Sequence, residues 1–371
     1  MLSHSRHGLE SHIRLPLANN FQNISFEVIW GRGTVNENLQ KSGIFYATTV
    51  EGAQLPIIDV THTVFTVDDS PQAVEALRKL YIASESRWRP NFVGRFFMRL
   101  FAKKSLLLRS LVQPDAPFLS GLSTYVMKLG DENLVPPFNT ELDRKIAASP
   151  PARAIRIRLQ QTARMLADAL EPEFGKAPGS PLDLINIGGG PAIDSVNALL
   201  LLQQRSPQLL LRPIVIHIFD LDTAGPAFGQ QALAQLMTPG APLSGLDLQI
   251  SRASYNWNDA APLRALVQQL RERQGIIAAS SEGALFEYGN DEAVVANLKA
   301  LREGGEALKV IAGSVTRSDD LTRKMYAHGA IKLVHRGLDR FADLAKQGGF
   351  DLVHSEPALT SDQVLLRPAP R

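Results

Sequence analysis

Hydrophobic and polar positions alternate between two periods along the C-terminal part of the chain. Short apolar runs, typical of buried strands, are each followed by a segment with apolar residues three or four positions apart, typical of a helix. The predicted strands are residues 182–187, 214–219, 246–250, 275–280, 307–313, 350–355 and 363–368. The predicted helices are residues 193–204, 227–237, 260–273, 291–302, 319–326 and 338–347. This pattern predicts an α/β fold with a mostly parallel sheet, helices on both faces and an antiparallel final hairpin, since no helix separates the last two strands.

The pattern before residue 149 is more mixed. The predicted elements there are strands at residues 25–30 and 43–50, an extended segment at 55–67, and helices at 71–84 and 91–112. Lysines and arginines interrupt the apolar run of the last helix, which would suit either a membrane surface or packing over a pocket with the charged ends in water. We favour packing, because the chain shows no second membrane signal.

A long helix is predicted to begin at Ser149-Pro150-Pro151, since serine can cap a helix and proline is tolerated in its first turn. Its apolar stripe leaves Arg153, Arg156 and Arg164 on a face that we expect to be solvated. We therefore divide the chain into two domains. We expect residues 1–148 to form an α+β lid domain that would shape a substrate pocket, and residues 149–371 to form the α/β domain.

Composition narrows the function classes. The 371 residues carry 39 Lys+Arg against 37 Asp+Glu, a net charge of +2, which gives no general attraction to nucleic acid or anionic membranes. The absence of cysteine excludes disulfides, thiolate catalysis and cysteine-based zinc sites. His4, His7 and His12 have no evident carboxylate partner, so we predict no metal site. With no secretory signal and no apolar run of about 20 residues, we expect a cytoplasmic protein without stable membrane insertion.

A glycine-rich turn follows the first strand of the second domain directly. Gly188, Gly189 and Gly190 would let the backbone approach a ligand, and the next helix would offer it unpaired N–H groups. The second strand ends at Asp220, whose carboxylate can accept hydrogen bonds from both hydroxyls of a ribose. Asp222 can instead cap the following helix. Taken alone, this arrangement suits either a dinucleotide or S-adenosyl-L-methionine.

The end of the chain favours S-adenosylmethionine. Residues from about 149 to 371 resemble the class I S-adenosylmethionine-dependent methyltransferases, whose Rossmann-like seven-stranded sheet finishes with a hairpin and an antiparallel last strand. Gly348-Gly349-Phe350, before the sixth strand, is similar to a turn of that family. The resemblance implies this fold and this cofactor. A dinucleotide dehydrogenase is not expected to finish with such a hairpin and antiparallel last strand.

The resemblance also implies roles for individual residues. Those it places at the cofactor are Asn186, Gly188, Gly189 and Gly190 at the first turn, Asp220, Leu221 and Asp222 at the ribose, Asn256 and Trp257 at the adenine ring, and Ser280 and Ser281 near the methionine moiety. Glu282 and Tyr288 are the candidate catalytic residues, because they are the ionisable groups nearest the expected transfer site. We expect Glu287 to be an ordinary loop carboxylate.

Two departures from the family bear on the reaction. Asn186 stands where an acidic residue usually holds the methionine amino group, so that contact would lack charge. The Asn/Asp-Pro-Pro-aromatic tetrapeptide of many DNA and protein amide methyltransferases is absent after the fourth strand, which disfavours those substrates. The sequence therefore predicts methyl transfer to a small molecule.

Other functions stay open at this point. The same cofactor could donate its aminopropyl or aminobutyrate part, which the uncharged Asn186 would permit. A non-catalytic nucleotide-binding protein is a second alternative, because no base or nucleophile stands out in the sequence. NAD-dependent oxidoreduction is the least favoured. The sequence does not decide the oligomeric state, and a homodimer stays open.

Overall fold

The computed structural model describes residues 43–85, 105–112, 120–327 and 331–370. The predicted strand at residues 25–30, the three N-terminal histidines and most of the predicted helix at residues 91–112 lie outside the described residues. Within the described ranges, no helix combines the length and apolarity that crossing a membrane requires.

A seven-stranded sheet forms the centre of the fold. The strands of the described chain are β1 (Tyr46–Thr48), β2 (Gln54–Pro56), β3 (Leu182–Ile187), β4 (Ile214–Asp220), β5 (Leu248–Ser254), β6 (Ile276–Ser281), β7 (Leu308–Thr316), β8 (Phe350–Pro357) and β9 (Ser361–Pro368). Strands β3 to β9 form the sheet in the order β5-β4-β3-β6-β7-β9-β8. All neighbours are parallel except β9, which runs antiparallel to both β7 and β8. The mostly parallel sheet with an inserted antiparallel last strand confirms the predicted fold class.

Helices cover both faces of this sheet. Those of the described chain are α1 (Pro71–Glu85), α2 (Leu106–Val112), α3 (Gly121–Lys128), α4 (Glu141–Ala147), α5 (Pro150–Lys176), α6 (Ile193–Arg205), α7 (Ala224–Leu236), α8 (Ala261–Glu272), α9 (Leu285–Tyr288), α10 (Asp291–Arg302), α11 (Asp320–Tyr326) and α12 (Gly337–Gly348). Ser149 caps α5 as predicted, and its hydroxyl accepts the N–H of Ala152. The single turn α9 was not predicted, because four residues are too few to show a period.

The two largest clusters of the core lie on opposite faces of the sheet. Successive strand residues face opposite sides, so Leu184 packs on one side and Ile185 on the other. The first side is covered by α5, α6 and α7, and the second by α8, α10 and α12. Because the central strands are buried on both faces, their sequences are nearly continuous apolar runs.

The part of the chain before residue 149 contains less sheet than predicted. The strand expected at residues 43–50 is limited to β1, and β2 covers only the first two residues of the extended segment at residues 55–67. The chain after β2 turns instead, with Asp59 accepting the N–H of Thr61 at 2.8 Å. Tyr125 of α3 packs 4.8 Å, centroid to centroid, from Phe228 of α7, so this part shares a core with the sheet. The division into two domains at residue 148 stays a prediction.

The prediction that three arginines of α5 lie on a solvated face is wrong for two of them. Arg164 pairs with Asp69 at 2.8 Å and with Glu356 at 2.6 Å, and Arg156 is partly buried. Only Arg153 is exposed. The helical period shows which residues share a face, but it does not show which later segment covers that face.

Candidate functional site

Four loops meet at the carboxyl ends of β3, β4, β5 and β6. The strand order reverses between β3 and β6, and ligands of open α/β sheets bind at such a point. Gly188, Asp220, Trp257 and Glu282, one from the end of each strand or the loop after it, line a cavity of about 50 Å³, which we call the glycine-turn cavity. Gly121 at the start of α3 also lines it. The structure therefore brings together candidates that lie up to 100 positions apart in the sequence, from Gly188 to Tyr288.

The glycine turn is held in a conformation that favours glycine. Gly188 and Gly190 have positive φ angles of 70° and 57°. A Cβ on Gly188 would lie 3.0 Å from the Trp257 ring, so glycine allows that ring to close over the turn. A Cβ on Gly190 would lie 2.8 Å from the Cα of Gly121. Gly188 thus faces the cavity, whereas Gly190 gives α3 room to approach the turn.

Asn186 holds the turn from beneath. Its side-chain oxygen accepts the N–H of Gly189 at 3.1 Å, and its Nδ2 donates to Asp194 at 2.7 Å and to Ser280 at 2.9 Å. Asn186 is fully buried and does not line the cavity. We call Asn186, Gly189, Asp194 and Ser280 the turn cluster. Ser281 is buried as well, and its hydroxyl donates to the Ile187 carbonyl at 3.2 Å.

Asp220 lies at the cavity wall with two backbone partners. Its Oδ2 accepts the N–H of Gly190 and its Oδ1 accepts the N–H of Asp222, both at 2.8 Å. Burial raises the pKa of Asp220 above its ordinary value, although these N–H groups oppose the shift. The carboxylate is partly buried and retains lone pairs for a ligand, since each oxygen can accept two hydrogen bonds.

Asp222 pairs with N–H groups in the first turn of α7, close to the capping role that the alternative for this residue anticipated, although the N-cap residue itself is Thr223. Its two oxygens accept the N–H groups of Ala224 at 3.0 Å and Gly225 at 3.2 Å. Oδ2 also accepts the N–H of Gly121 at 3.0 Å, which ties α3 to this strand end. Asp222 lines the cavity too, so capping does not remove it from the site.

Two apolar side chains complete the wall on the side of β4 and β5. Leu221 is 51% exposed, and Trp257 lies partly buried beside Gly188. The Trp257 carbonyl accepts a hydrogen bond from Nδ2 of Asn297 at 2.7 Å, which fixes the loop after β5. Asn256 is exposed, bonds to the N–H of Asn258 and does not line the cavity.

Four buried ionisable side chains form what we call the charge cluster: Lys128, Arg158, Glu282 and Glu287. Glu282 accepts from Lys128 Nζ through Oε2 and from Arg158 Nε through Oε1. Arg158 Nη1 also donates to Glu287 Oε2 at 2.9 Å. These residues come from α3, α5, the loop after β6 and α9. Two cations face two carboxylates, so the cluster is balanced.

The two carboxylates of the charge cluster differ in basicity. Burial by itself would raise the pKa of Glu282, but Arg158 and Lys128 outweigh it and hold that pKa below its ordinary value. Burial raises the pKa of Glu287, although Arg158 opposes the shift. Glu282 is therefore the weaker base and Glu287 the stronger. Burial also raises the pKa of Tyr288, so its hydroxyl stays protonated at neutral pH.

A second cavity of about 430 Å³ adjoins the first, and we call it the apolar cavity. Its apolar wall consists of Leu111, Met127, Ile146, Pro151, Ala152, Ile155, Met325, Ile331 and Leu333. Arg158, Glu287, Tyr288 and Tyr326 are the main polar groups of its wall. Tyr288, with Thr124 and Gly283, lines both cavities.

Sequence reasoning missed Lys128 and Arg158. Arg158 precedes Leu159 of the apolar stripe, and its partners Glu282 and Glu287 follow it by 124 and 129 positions. A charged residue beside the apolar stripe of α5 is the one signal that could have drawn attention to Arg158.

Comparison with solved structures gives distant matches. The chain resembles a possible exported protein from Bordetella parapertussis at 15% identity, with a TM-score of 0.48 over 81% of this chain and 96% of that one. It resembles the N,N-8-amino-8-demethyl-D-riboflavin dimethyltransferase of Streptomyces davawensis at 16% identity, with a TM-score of 0.35 over 62% of this chain. It spans 60% of the length of that enzyme.

A third match is the 1,6-didemethyltoxoflavin-N1-methyltransferase of Burkholderia thailandensis, solved with 1,6-didemethyltoxoflavin and S-adenosylhomocysteine. It is 16% identical, with a TM-score of 0.34 over 56% of this chain and 79% of that one. No protein-family profile and no curated protein matches the chain. The fold assignment therefore rests on the strand order and directions of the sheet itself.

Proposed function

We propose that this protein is an S-adenosylmethionine-dependent methyltransferase that acts on a small molecule. The observation that carries the proposal is the convergence of the glycine turn, Asp220 and Trp257 on one cavity at the point where the strand order reverses. The adjoining apolar cavity has the size of sites that take small organic molecules. Because Tyr288 lines both cavities, a cofactor in the first and an acceptor in the second would be neighbours.

The residues around the glycine-turn cavity fit this cofactor. Gly188 presents backbone without a side chain, and Asp220 can accept ribose hydroxyls in addition to its two backbone N–H groups. Leu221 and Trp257 would cover the adenine ring, which gives a reason for the exposed leucine. When bound, the cofactor supplies an activated methyl group. The chain has to hold the acceptor close, aligned and away from water.

The candidate residues have different proposed roles. Tyr288 is the proposed catalytic residue at the junction of the cavities, where its protonated hydroxyl can donate a hydrogen bond. Glu282 is held as a carboxylate by two cations, so we propose that it fixes Lys128 and Arg158 rather than accepting a proton. Asn186 and Ser280 support the turn and do not line the cavity.

The glycine-turn cavity has to widen before the cofactor can enter. About 50 Å³ holds only one or two water molecules, and a nucleoside needs several times that volume. Two contacts narrow the cavity: the Trp257 ring over Gly188 and the approach of Gly121 to Gly190. Rotation of the Trp257 side chain is the smaller change, because it leaves α3 in place.

Calorimetric titration with S-adenosylhomocysteine and with NAD tests the proposal. We expect saturable binding of S-adenosylhomocysteine and none of NAD, and quenching of Trp257 fluorescence should accompany binding. NAD binding without a response to S-adenosylhomocysteine would refute the proposal. With an acceptor in hand, S-adenosylmethionine labelled either in the methyl group or in the aminobutyrate carbons separates methyl transfer from aminobutyrate transfer.

A further inference from the structure

The polar part of the apolar cavity is electrically balanced. Arg158 is paired with both Glu282 and Glu287, and it is the buried cation of the wall. Lys145 also lines the cavity, but it is largely exposed and pairs with Glu141 at 2.6 Å. Among the described residues, the wall therefore offers no unpaired cation that would favour a carboxylate or phosphate ligand.

The two carboxylate oxygens of Glu287 differ in their hydrogen bonds. Its Oε2 accepts from Arg158, whereas its Oε1 is buried and makes no hydrogen bond of normal geometry with the residues that the structure describes. The Ser314 hydroxyl is near enough to the Glu287 carboxylate to lower its pKa, so it is the protein donor with which a ligand would compete. A buried acceptor without a partner is costly, because it has lost its hydrogen bonds to water. Glu287 belongs to the cavity wall, so a small rotation of its side chain would let a ligand donor satisfy that oxygen.

The rest of the wall suits a flat apolar molecule. Tyr288 and Tyr326 offer aromatic rings, and Met127 and Met325 are adaptable side chains that pack well against rings. Ile155 of α5 adds a branched apolar surface. These groups gain most from a ligand whose surface is mainly apolar and which carries few polar atoms.

We propose that the acceptor is a neutral, largely apolar molecule of the phenol or aromatic N–H class, whose O–H or N–H group donates to Oε1 of Glu287. This inference rests on the proposed function, since it identifies the apolar cavity as the acceptor site. Glu287 is then a specificity-determining residue. A carboxylate in the same position would meet a like charge, while Arg158 is already paired twice.

Three probes of nearly the same shape test this preference: 2-naphthol, which has a donor, 2-methoxynaphthalene, which has none, and 2-naphthoate, which is an anion. Their affinities are measured by calorimetry on the full chain. We expect 2-naphthol to bind about tenfold more tightly than 2-methoxynaphthalene, the scale of one hydrogen bond to a charged group. We expect 2-naphthoate to bind most weakly. If either of the other two binds as tightly as 2-naphthol, the inference is overturned.

Glu287→Gln sharpens the test, because it keeps the shape of the side chain. Arg158 still requires an acceptor, so the glutamine oxygen should face Arg158 and its NH₂ group the cavity. The variant leaves the charge cluster with one excess positive charge. The preference for 2-naphthol over 2-methoxynaphthalene should vanish, and 2-naphthoate should gain affinity. Unchanged ratios in a folded variant would show that Glu287 does not select the ligand.

Ile155→Val is the matched control, since Ile155 lines the same cavity without a polar group. It should weaken all three probes by a similar factor and leave their ratios as in the wild type. The wild-type ranking decides the question even if Glu287→Gln fails to fold. Binding of S-adenosylhomocysteine is measured separately from the binding of the three probes. If the protein binds S-adenosylhomocysteine but the three probes follow another order of affinity, only this inference is overturned. A protein that ranks them as expected without binding it overturns the methyltransferase proposal.

Discussion

The turn cluster and the charge cluster are both buried beside the glycine-turn cavity, yet they are built in different ways. The turn cluster joins Asn186 of β3 to the turn that follows it, to α6 and to the neighbouring strand β6 through single hydrogen bonds. The charge cluster joins α3 and α5 to the loop after β6, and Lys128 lies 154 positions from its partner Glu282. The first fixes the shape of one loop, whereas the second holds distant segments together.

The two clusters should respond differently when one of their residues is replaced. In the turn cluster, whose one ionisable member is the buried Asp194 with its raised pKa, removing one hydrogen-bond partner leaves a single unsatisfied group, at a cost of about 1–3 kcal/mol. Removing one member of a buried ion pair leaves an uncompensated charge in a region of low polarity, which costs about 3–5 kcal/mol. The turn cluster should therefore be sensitive to shape and the charge cluster to balance.

Glu282→Ala tests the charge cluster and should have the largest effect. It leaves Lys128 without its buried partner and Arg158 with Glu287 alone, so we expect the free energy of unfolding to fall by about 3–5 kcal/mol. Urea denaturation followed by circular dichroism measures this change. Glu141→Ala removes a carboxylate from the exposed pair with Lys145 and should leave the midpoint unchanged. Equal effects of the two substitutions would contradict the contrast between the clusters.

Asp220→Ala tests whether the carboxylate at the end of β4 binds the ligand or only stabilises the glycine turn. We expect the dissociation constant for S-adenosylhomocysteine to rise about 30- to 150-fold, equivalent to about 2–3 kcal/mol, because hydrogen bonds to a charged acceptor are lost. Isothermal titration calorimetry measures it. Asp222→Ala is the comparison variant: it should cost about 1 kcal/mol of stability through the first turn of α7 and, because Asp222 also lines the cavity, a smaller loss of affinity than Asp220→Ala. The reverse pattern would make Asp222 the ribose ligand.

Gly189→Ala tests the turn cluster by shape alone and should have the smallest effect. A Cβ at this position would lie 2.2 Å from Oδ1 of Asn186, so the hydrogen bond between these residues has to open. We expect a loss of about 1–3 kcal/mol in stability, measured by thermal unfolding. Gly175→Ala, in α5, meets nothing within 4 Å and should be neutral or stabilising. A Gly189→Ala variant as stable as Gly175→Ala would show that Asn186 does not constrain the turn.

The seven-stranded sheet and its helices could be predicted from the sequence because most of these elements show their own hydrophobic period. Strand β3 and helix α10 begin and end where the pattern placed them. Before residue 149 the helices α3 and α4 have only eight and seven residues, and such lengths barely show a helical period. Prolines in the connecting segments made that region look irregular.

The candidate site was predictable where it depends on local sequence and not where it depends on distant partners. The glycine turn and Asp220 follow strands that were recognised, so their place at one edge of the sheet could be inferred. Asn186 was expected to face the ligand, but the direction of its side chain depends on Asp194 and Ser280. Arg158 was overlooked because its burial results from segments more than 120 positions away.

The balance of the charge cluster has a consequence for the history of the sequence. Because two cations face two carboxylates in a buried place, a single replacement passes through an unbalanced and less stable protein. Among relatives, the positions of Lys128, Arg158, Glu282 and Glu287 should therefore be inherited together or exchanged in oppositely charged pairs. Covariation of these four columns would reveal the contact between the N-terminal helices and the sheet from sequences alone.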